Sequence, residues 1–122
     1  MNQMHQGIVV FGHGSSLASA NDAVRTIAAH AAEQGGWPLW ETAFLEADPR
    51  LASAVGKLVT AGAQSILILP YFLTLGIHLE RDLPALVRDL ELQFAIPIRV
   101  TPPLDGHAAL SRILVERAEA SE

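Results

Sequence analysis

Apolar residues fall along this chain in short continuous runs separated by stretches of helical periodicity, the alternation that builds a parallel sheet. Gly7 to Phe11 is short, β-branched and apolar on both faces, as a central strand covered by helices on either side would be. A helix is predicted from Asn21 to Gln34, with Ala20, Ala23, Val24, Ile27, Ala28 and Ala31 as its buried stripe and Gly35-Gly36 as its stop. Leu39 to Glu46 reads as a second strand, with Trp40, Thr42 and Phe44 alternating against Glu41 and Ala43. Asp48-Pro49 then predicts a helix start, a capping carboxylate followed by proline at the first helical position. Leu51, Ala52, Val55, Leu58 and Val59 line its inner face, and Gly62 ends it.

Ser65 to Leu73 is the clearest strand, and Pro70 is expected where that strand leaves the sheet. A third helix is predicted from Glu80 to Phe94, with Pro84 tolerated near its first turn and Leu83, Leu86, Val87, Leu90 and Phe94 buried. Pro97 to Thr101 forms a fourth strand, ended by Pro102-Pro103, and a last helix runs from Gly106 to Ala118. The expected fold class is α/β, a four-stranded parallel sheet flanked by helices on both faces and joined by right-handed crossovers. The length of 122 residues suits one domain over 1–122, with residues 1–6 as a loose terminus.

Composition narrows the function classes. The formal net charge of −5 and a single lysine argue against a nucleic-acid groove, which needs clustered basic residues. The absence of cysteine excludes disulfides, thiolate metal sites and a cysteine nucleophile. No secretory signal is visible and no apolar run approaches a membrane span, so the expected setting is the cytoplasm, away from membranes.

The candidate chemistry lies where two strands end. Gly12-His13-Gly14-Ser15 follows the first strand, and Gly76-Ile77-His78 follows the third. In an open parallel sheet the crevice outside the carboxyl ends of the strands binds ligands, so His13 and His78 are expected to meet there. Neutral imidazoles hold a transition metal or accept protons. Gly12 and Gly14 let the backbone turn sharply and approach a ligand. Ser15 and Ser16 are placed to cap the next helix or to hold an anion at its N-terminus. Glu46 ends the second strand, and a carboxylate beside two imidazoles makes an open metal site. His107 is a weaker candidate at the start of the last helix, and His5 and His30 read as a terminal and a solvated residue.

Four segments together resemble the small CbiX-type sirohydrochlorin chelatases. They are Val9-Val10-Phe11-Gly12-His13-Gly14-Ser15, Ala43-Phe44-Leu45-Glu46-Ala47-Asp48-Pro49, Leu69 through His78, and Pro103-Leu104-Asp105-Gly106-His107. The resemblance implies a chelatase-like fold and a lyase that inserts Co²⁺, Fe²⁺ or Ni²⁺, as substrate, into sirohydrochlorin in cobalamin or siroheme biosynthesis. It implies no organic cofactor. It implies His13 and His78 as the metal-binding, proton-accepting pair, Glu46 as a third acidic group, and a homodimer with a shared cleft. Tyr71, Phe72 and Leu73, with Gly76, would wall the macrocycle, and Arg50 or Arg81 would meet its carboxylates. Where the family commonly carries an arginine and an acidic residue, Ser16-Leu17-Ala18-Ser19 stands here.

Rival readings fare less well. A histidine phosphatase lacks its arginine before His13, and no Gly-x-Ser-x-Gly elbow serves a serine hydrolase. A non-catalytic tetrapyrrole or metal carrier using the same two-histidine pocket is the alternative kept open by the changed residues after Ser15.

Overall fold

The computed structural model describes residues 5–121. Its elements alternate without exception: β1 (Gln6–Gly12), α1 (Ala18–Gly35), β2 (Trp40–Phe44), α2 (Leu51–Thr60), β3 (Ser65–Pro70), α3 (Gly76–Phe94), β4 (Ile98–Val100) and α4 (Ala108–Ala120). The strands form one parallel sheet in the order β2-β1-β3-β4, as the expected fold class requires. Right-handed crossovers then place α1 on one face and α2 and α3 on the other.

The core sits under α2 and α3. Val9, Phe11, Ala43, Ile66, Ile68 and Ile98 from the sheet pack with Leu51, Val55 and Leu58 of α2 and Leu79, Leu83, Val87 and Leu90 of α3. Strand alternation sends Ile8 and Val10 to the opposite face, where α1 contributes only Asn21, Ala28 and Ala32 as buried residues. Helix α4 buries none.

Several boundaries differ from the sequence expectation, each for a local reason. Helix α1 begins at Ala18, and its buried line runs through Asn21, Ala28 and Ala32, about one residue round from the predicted stripe. Alanines nearly encircle this helix, so the pattern orients it weakly; Ile27 is 47% exposed. Helix α2 begins at Leu51 with Arg50 as N-cap, because the Pro49 carbonyl accepts from Phe44 N at 2.8 Å and ties the preceding segment back to β2. Asp48 therefore caps nothing. Strand β2 ends at Phe44 and β3 at Pro70, and β4 is confined to Ile98–Val100.

Pro70 costs no ladder bond. Tyr71 N donates to Phe11 O at 2.7 Å, so the neighbouring proline nitrogen faces the other way, past the end of β4, whose last residue pairs with Ile68. Helix α3 starts at Gly76 rather than Glu80, which puts His78 in its first turn and Pro84 in its interior. Pro84 is exposed, so the carbonyl deprived of its partner faces water. Strand β1 starts at Gln6, and the His5 carbonyl accepts from Gln64 N at 2.6 Å, inside the segment expected to be loose; residues 1–4 of that segment lie outside the described residues.

Candidate functional site

A pocket of about 520 Å³ opens over the carboxyl ends of β1, β2 and β3. Here the chain leaves β1 towards β2 and leaves β3 towards β4, in opposite directions, which opens a crevice between the two loops. His13, Glu46, Phe72, His78 and Asp82 line it together with Leu45, Leu75, Ile77, Leu83 and Leu86. Both expected histidines and the expected glutamate thus face one cavity.

The backbone explains why Glu46 stands beside His13. Pairing between β1 and β2 continues past the strand ends, with Leu45 N donating to Gly12 O at 3.0 Å and Glu46 N to His13 O at 2.8 Å. Their side chains meet as a result, Glu46 Oε2 lying 3.5 Å from His13 Nε2. Both are well exposed, so the pair adds little to stability. Its significance is chemical. His13 Nδ1 is 3.0 Å from the Gly14 carbonyl, which can only accept, so this contact is a hydrogen bond in the tautomer that carries its proton on Nδ1. In that tautomer Nε2 is the free ring nitrogen and stands at the pocket wall beside the carboxylate, where the two could share a metal ion or a proton.

Gly14 makes this turn possible. Its φ is 87°, and a Cβ there would stand 2.9 Å from Phe44 Cβ and 3.0 Å from Ala47 Cβ. Neither Gly12 nor Gly14 lines the pocket; they shape the strand end that carries His13. Ser15 also lies off the pocket wall, its Oγ accepting from Leu17 N at 3.0 Å in the turn into α1. Arg50 holds the Glu46 loop by donating to Leu45 O at 2.9 Å, so its guanidinium is engaged by the protein itself.

On the other side of the pocket, Gly76 turns the chain at φ 78° into α3. His78 Nδ1 lies 3.4 Å from Arg81 Nη2, and Arg81 Nε donates to Asp82 at 3.1 Å. Arginine has no acceptor, so His78 Nδ1 is the acceptor of that long contact. Phe72 stands between the two sides, edge-on to Phe11 at 5.7 Å and to His13 at 6.4 Å. Its segment is pinned by Leu104 N to Phe72 O and Asp105 N to Leu73 O, each 2.9 Å.

Of the expected macrocycle wall, Phe72 and Gly76 line the pocket, whereas Tyr71 and Leu73 are exposed outside it. Among the described residues no three His, Cys, Asp or Glu side chains are gathered closely enough to hold a metal together. His13 and Glu46 form a pair, and His78 occupies another part of the wall. His107 is the N-cap of α4, with Nδ1 accepting from Ala109 N at 3.0 Å, and His30 is exposed on α1. Sequence reasoning reads Leu83 and Leu86 only as buried helix positions and misses that they, with Asp82, line the pocket.

Comparison with known proteins places the chain by sequence and by fold. A sirohydrochlorin cobaltochelatase of Methanococcoides burtonii is 30% identical over 122 aligned residues, covering 92% of this chain and 93% of that protein. The chloroplastic sirohydrochlorin ferrochelatase of Arabidopsis thaliana is 30% identical over 93% of this chain, which spans 51% of that protein. The chain likewise spans 57% of the sirohydrochlorin cobaltochelatase of Methanopyrus kandleri, which is 35% identical over 81 residues. The crystal structure of a CbiX protein from Marinobacter aquaeolei VT8 superposes with a TM-score of 0.83 at 26% identity, covering 95% of this chain and 96% of that one. The sirohydrochlorin chelatase SirB of Bacillus subtilis subspecies spizizenii, solved with cobalt, shares the fold at a TM-score of 0.87 and 23% identity, over 96% of this chain and 51% of that one. The CbiX family model matches residues 7–121, and the chain belongs to the CbiX family.

Proposed function

We propose that this chain inserts a divalent metal into sirohydrochlorin, with Co²⁺ as first choice and Fe²⁺ or Ni²⁺ as alternatives, in a cytoplasmic cobalamin or siroheme pathway. The observation that carries this reading is the pairing of His13 Nε2 with the Glu46 carboxylate, 3.5 Å apart on the wall of a largely apolar pocket. Metal insertion requires two inner N–H protons to leave the macrocycle as the hydrated ion sheds water and bonds to the pyrrole nitrogens. His13 Nε2 is placed to hold the incoming ion or to take one proton, and the resulting imidazolium would face the Glu46 carboxylate. A His–Glu pair, unlike a closed four-ligand cage, leaves the ion open positions for water and then for the macrocycle. His78 supplies a second imidazole once its Nδ1 parts from Arg81, and Arg81 is then free to pair with a substrate carboxylate.

The apolar stretch formed by Phe72, Leu75, Ile77, Leu83 and Leu86 suits the face of a flat macrocycle, and burying it there excludes water from the reacting centre. The test is an anaerobic absorbance assay with sirohydrochlorin and each of Co²⁺, Fe²⁺ and Ni²⁺. Conversion above the spontaneous rate supports insertion and ranks the metals. Tight binding of the tetrapyrrole with no acceleration would replace the enzyme with a carrier.

A homodimer is part of the same proposal. Helix α4 places nothing in the core and leaves Ile113, Leu114 and Val115 exposed, and the chain spans only 51% of the Arabidopsis relative. Sedimentation equilibrium is expected to give twice the chain mass; a monomer at micromolar concentration contradicts it.

A further inference from the structure

Asn21 is one of two buried polar residues among those described, and both ends of its amide are used on a single neighbour. Its Oδ1 accepts from Ser15 N at 2.9 Å, and its Nδ2 donates to Ser15 O at 2.8 Å. The Ser15 N–H belongs to the same peptide plane as the Gly14 carbonyl, the group that accepts the His13 Nδ1 proton. From these bonds we infer that Asn21 is a positioning residue for His13. Held through Ser15 N–H, the plane aims the Gly14 carbonyl at the imidazole, keeps the proton on Nδ1, and leaves the Nε2 lone pair facing Glu46 and the pocket.

Alternative explanations account for less. A helix cap would need one oxygen and one N–H, whereas Asn21 spends both amide groups on the loop that carries His13. Burial alone favours an apolar residue at this point of α1, since an amide removed from water must regain its hydrogen bonds. The Oδ1 bond also polarises the peptide unit and strengthens its carbonyl as an acceptor for Nδ1. The Glu46 N–H adds a second restraint, because it donates to the His13 carbonyl at 2.8 Å and ties the loop to the end of β2. The inference rests on the proposed role of His13, but its test reads the imidazole itself and needs no turnover.

The experiment is a two-bond ¹H–¹⁵N spectrum of the histidine rings at a pH where they are neutral, with exposed His30 as internal control. In the wild-type chain His13 is expected as the Nδ1–H tautomer. In Asn21→Ala that signature moves to the mixed average shown by His30, and affinity for Co²⁺ alone falls about tenfold or more. Asn21→Leu, which fills the same space, replaces the alanine variant if that one does not fold. A wild-type His13 protonated on Nε2 overturns the inference, as does an Asn21→Ala or Asn21→Leu spectrum unchanged at His13. Failure of the insertion assay with the tautomer result intact would sink the chelatase reading and leave the positioning role standing.

Discussion

The two histidines of the pocket are held in very different ways. His13 has both ring nitrogens and its backbone engaged: Nδ1 on the Gly14 carbonyl, Nε2 near Glu46, and its own carbonyl on Glu46 N. His78 has one long contact to an exposed arginine, and it sits in a first turn that has no side-chain cap. Its neighbour Ile77 is 83% exposed. One rim of the pocket is therefore set before any ligand arrives, whereas the other has freedom to adjust. A fixed imidazole facing an adaptable apolar wall would suit the proposed reaction, in which a large rigid ring must be seated and then released. It also predicts that equivalent changes on the two rims will have unequal effects.

The largest effect is expected at the imidazoles. His13→Ala should lower metal insertion by about 10² to 10⁴, the range for a positioned general base, and His78→Ala should lower it less while still impairing it. Equal tolerance of both variants would remove the distinction between the rims.

The glycines sharpen the same comparison through stability. Gly14→Ala combines left-handed strain with contacts of 2.9 to 3.1 Å against Phe44 and the Ala47 backbone, so urea unfolding should report a loss of about 2–4 kcal/mol. Gly76→Ala meets open space at φ 78° and carries only the backbone strain, about 1 kcal/mol. Reversed ranking would mean that the His13 turn is the looser of the two.

Glu46→Gln keeps the size and removes the charge facing His13. Insertion is expected to fall about tenfold with tetrapyrrole binding unchanged, as read from kcat and KM separately. Least affected should be Ile77→Ala, which alters an exposed side chain. Its stability should stay within about 0.5 kcal/mol, and a modest rise in KM would mark its place on the macrocycle wall.

Much of this site was legible in the sequence because strand ends are strongly marked. Apolar runs closed by Gly12 and by Gly76 place His13 and His78 at one sheet edge, and the short second strand places Glu46 beside them. What stayed hidden depends on contacts between distant segments. The start of α2 was misread because the Pro49 carbonyl is occupied by Phe44 N, a bond that local capping chemistry does not reveal. The face of α1 differs from the expected stripe because its alanines give almost no orientation, and Asn21, expected only as the first residue of the helix, lies buried within it. It is buried because Ser15, six residues upstream, takes up both halves of its amide. Local sequence puts His78 in a loop because the first turn of α3 is rich in neither caps nor acidic residues.

The most direct test of the central claim measures insertion and binding in the same samples. Wild type, His13→Ala and His78→Ala would each be given sirohydrochlorin, with binding followed by fluorescence and Co²⁺ insertion by anaerobic absorbance. Binding retained in all three, with insertion lost most severely in His13→Ala, is the predicted result. Insertion by His13→Ala at the wild-type rate would contradict the account.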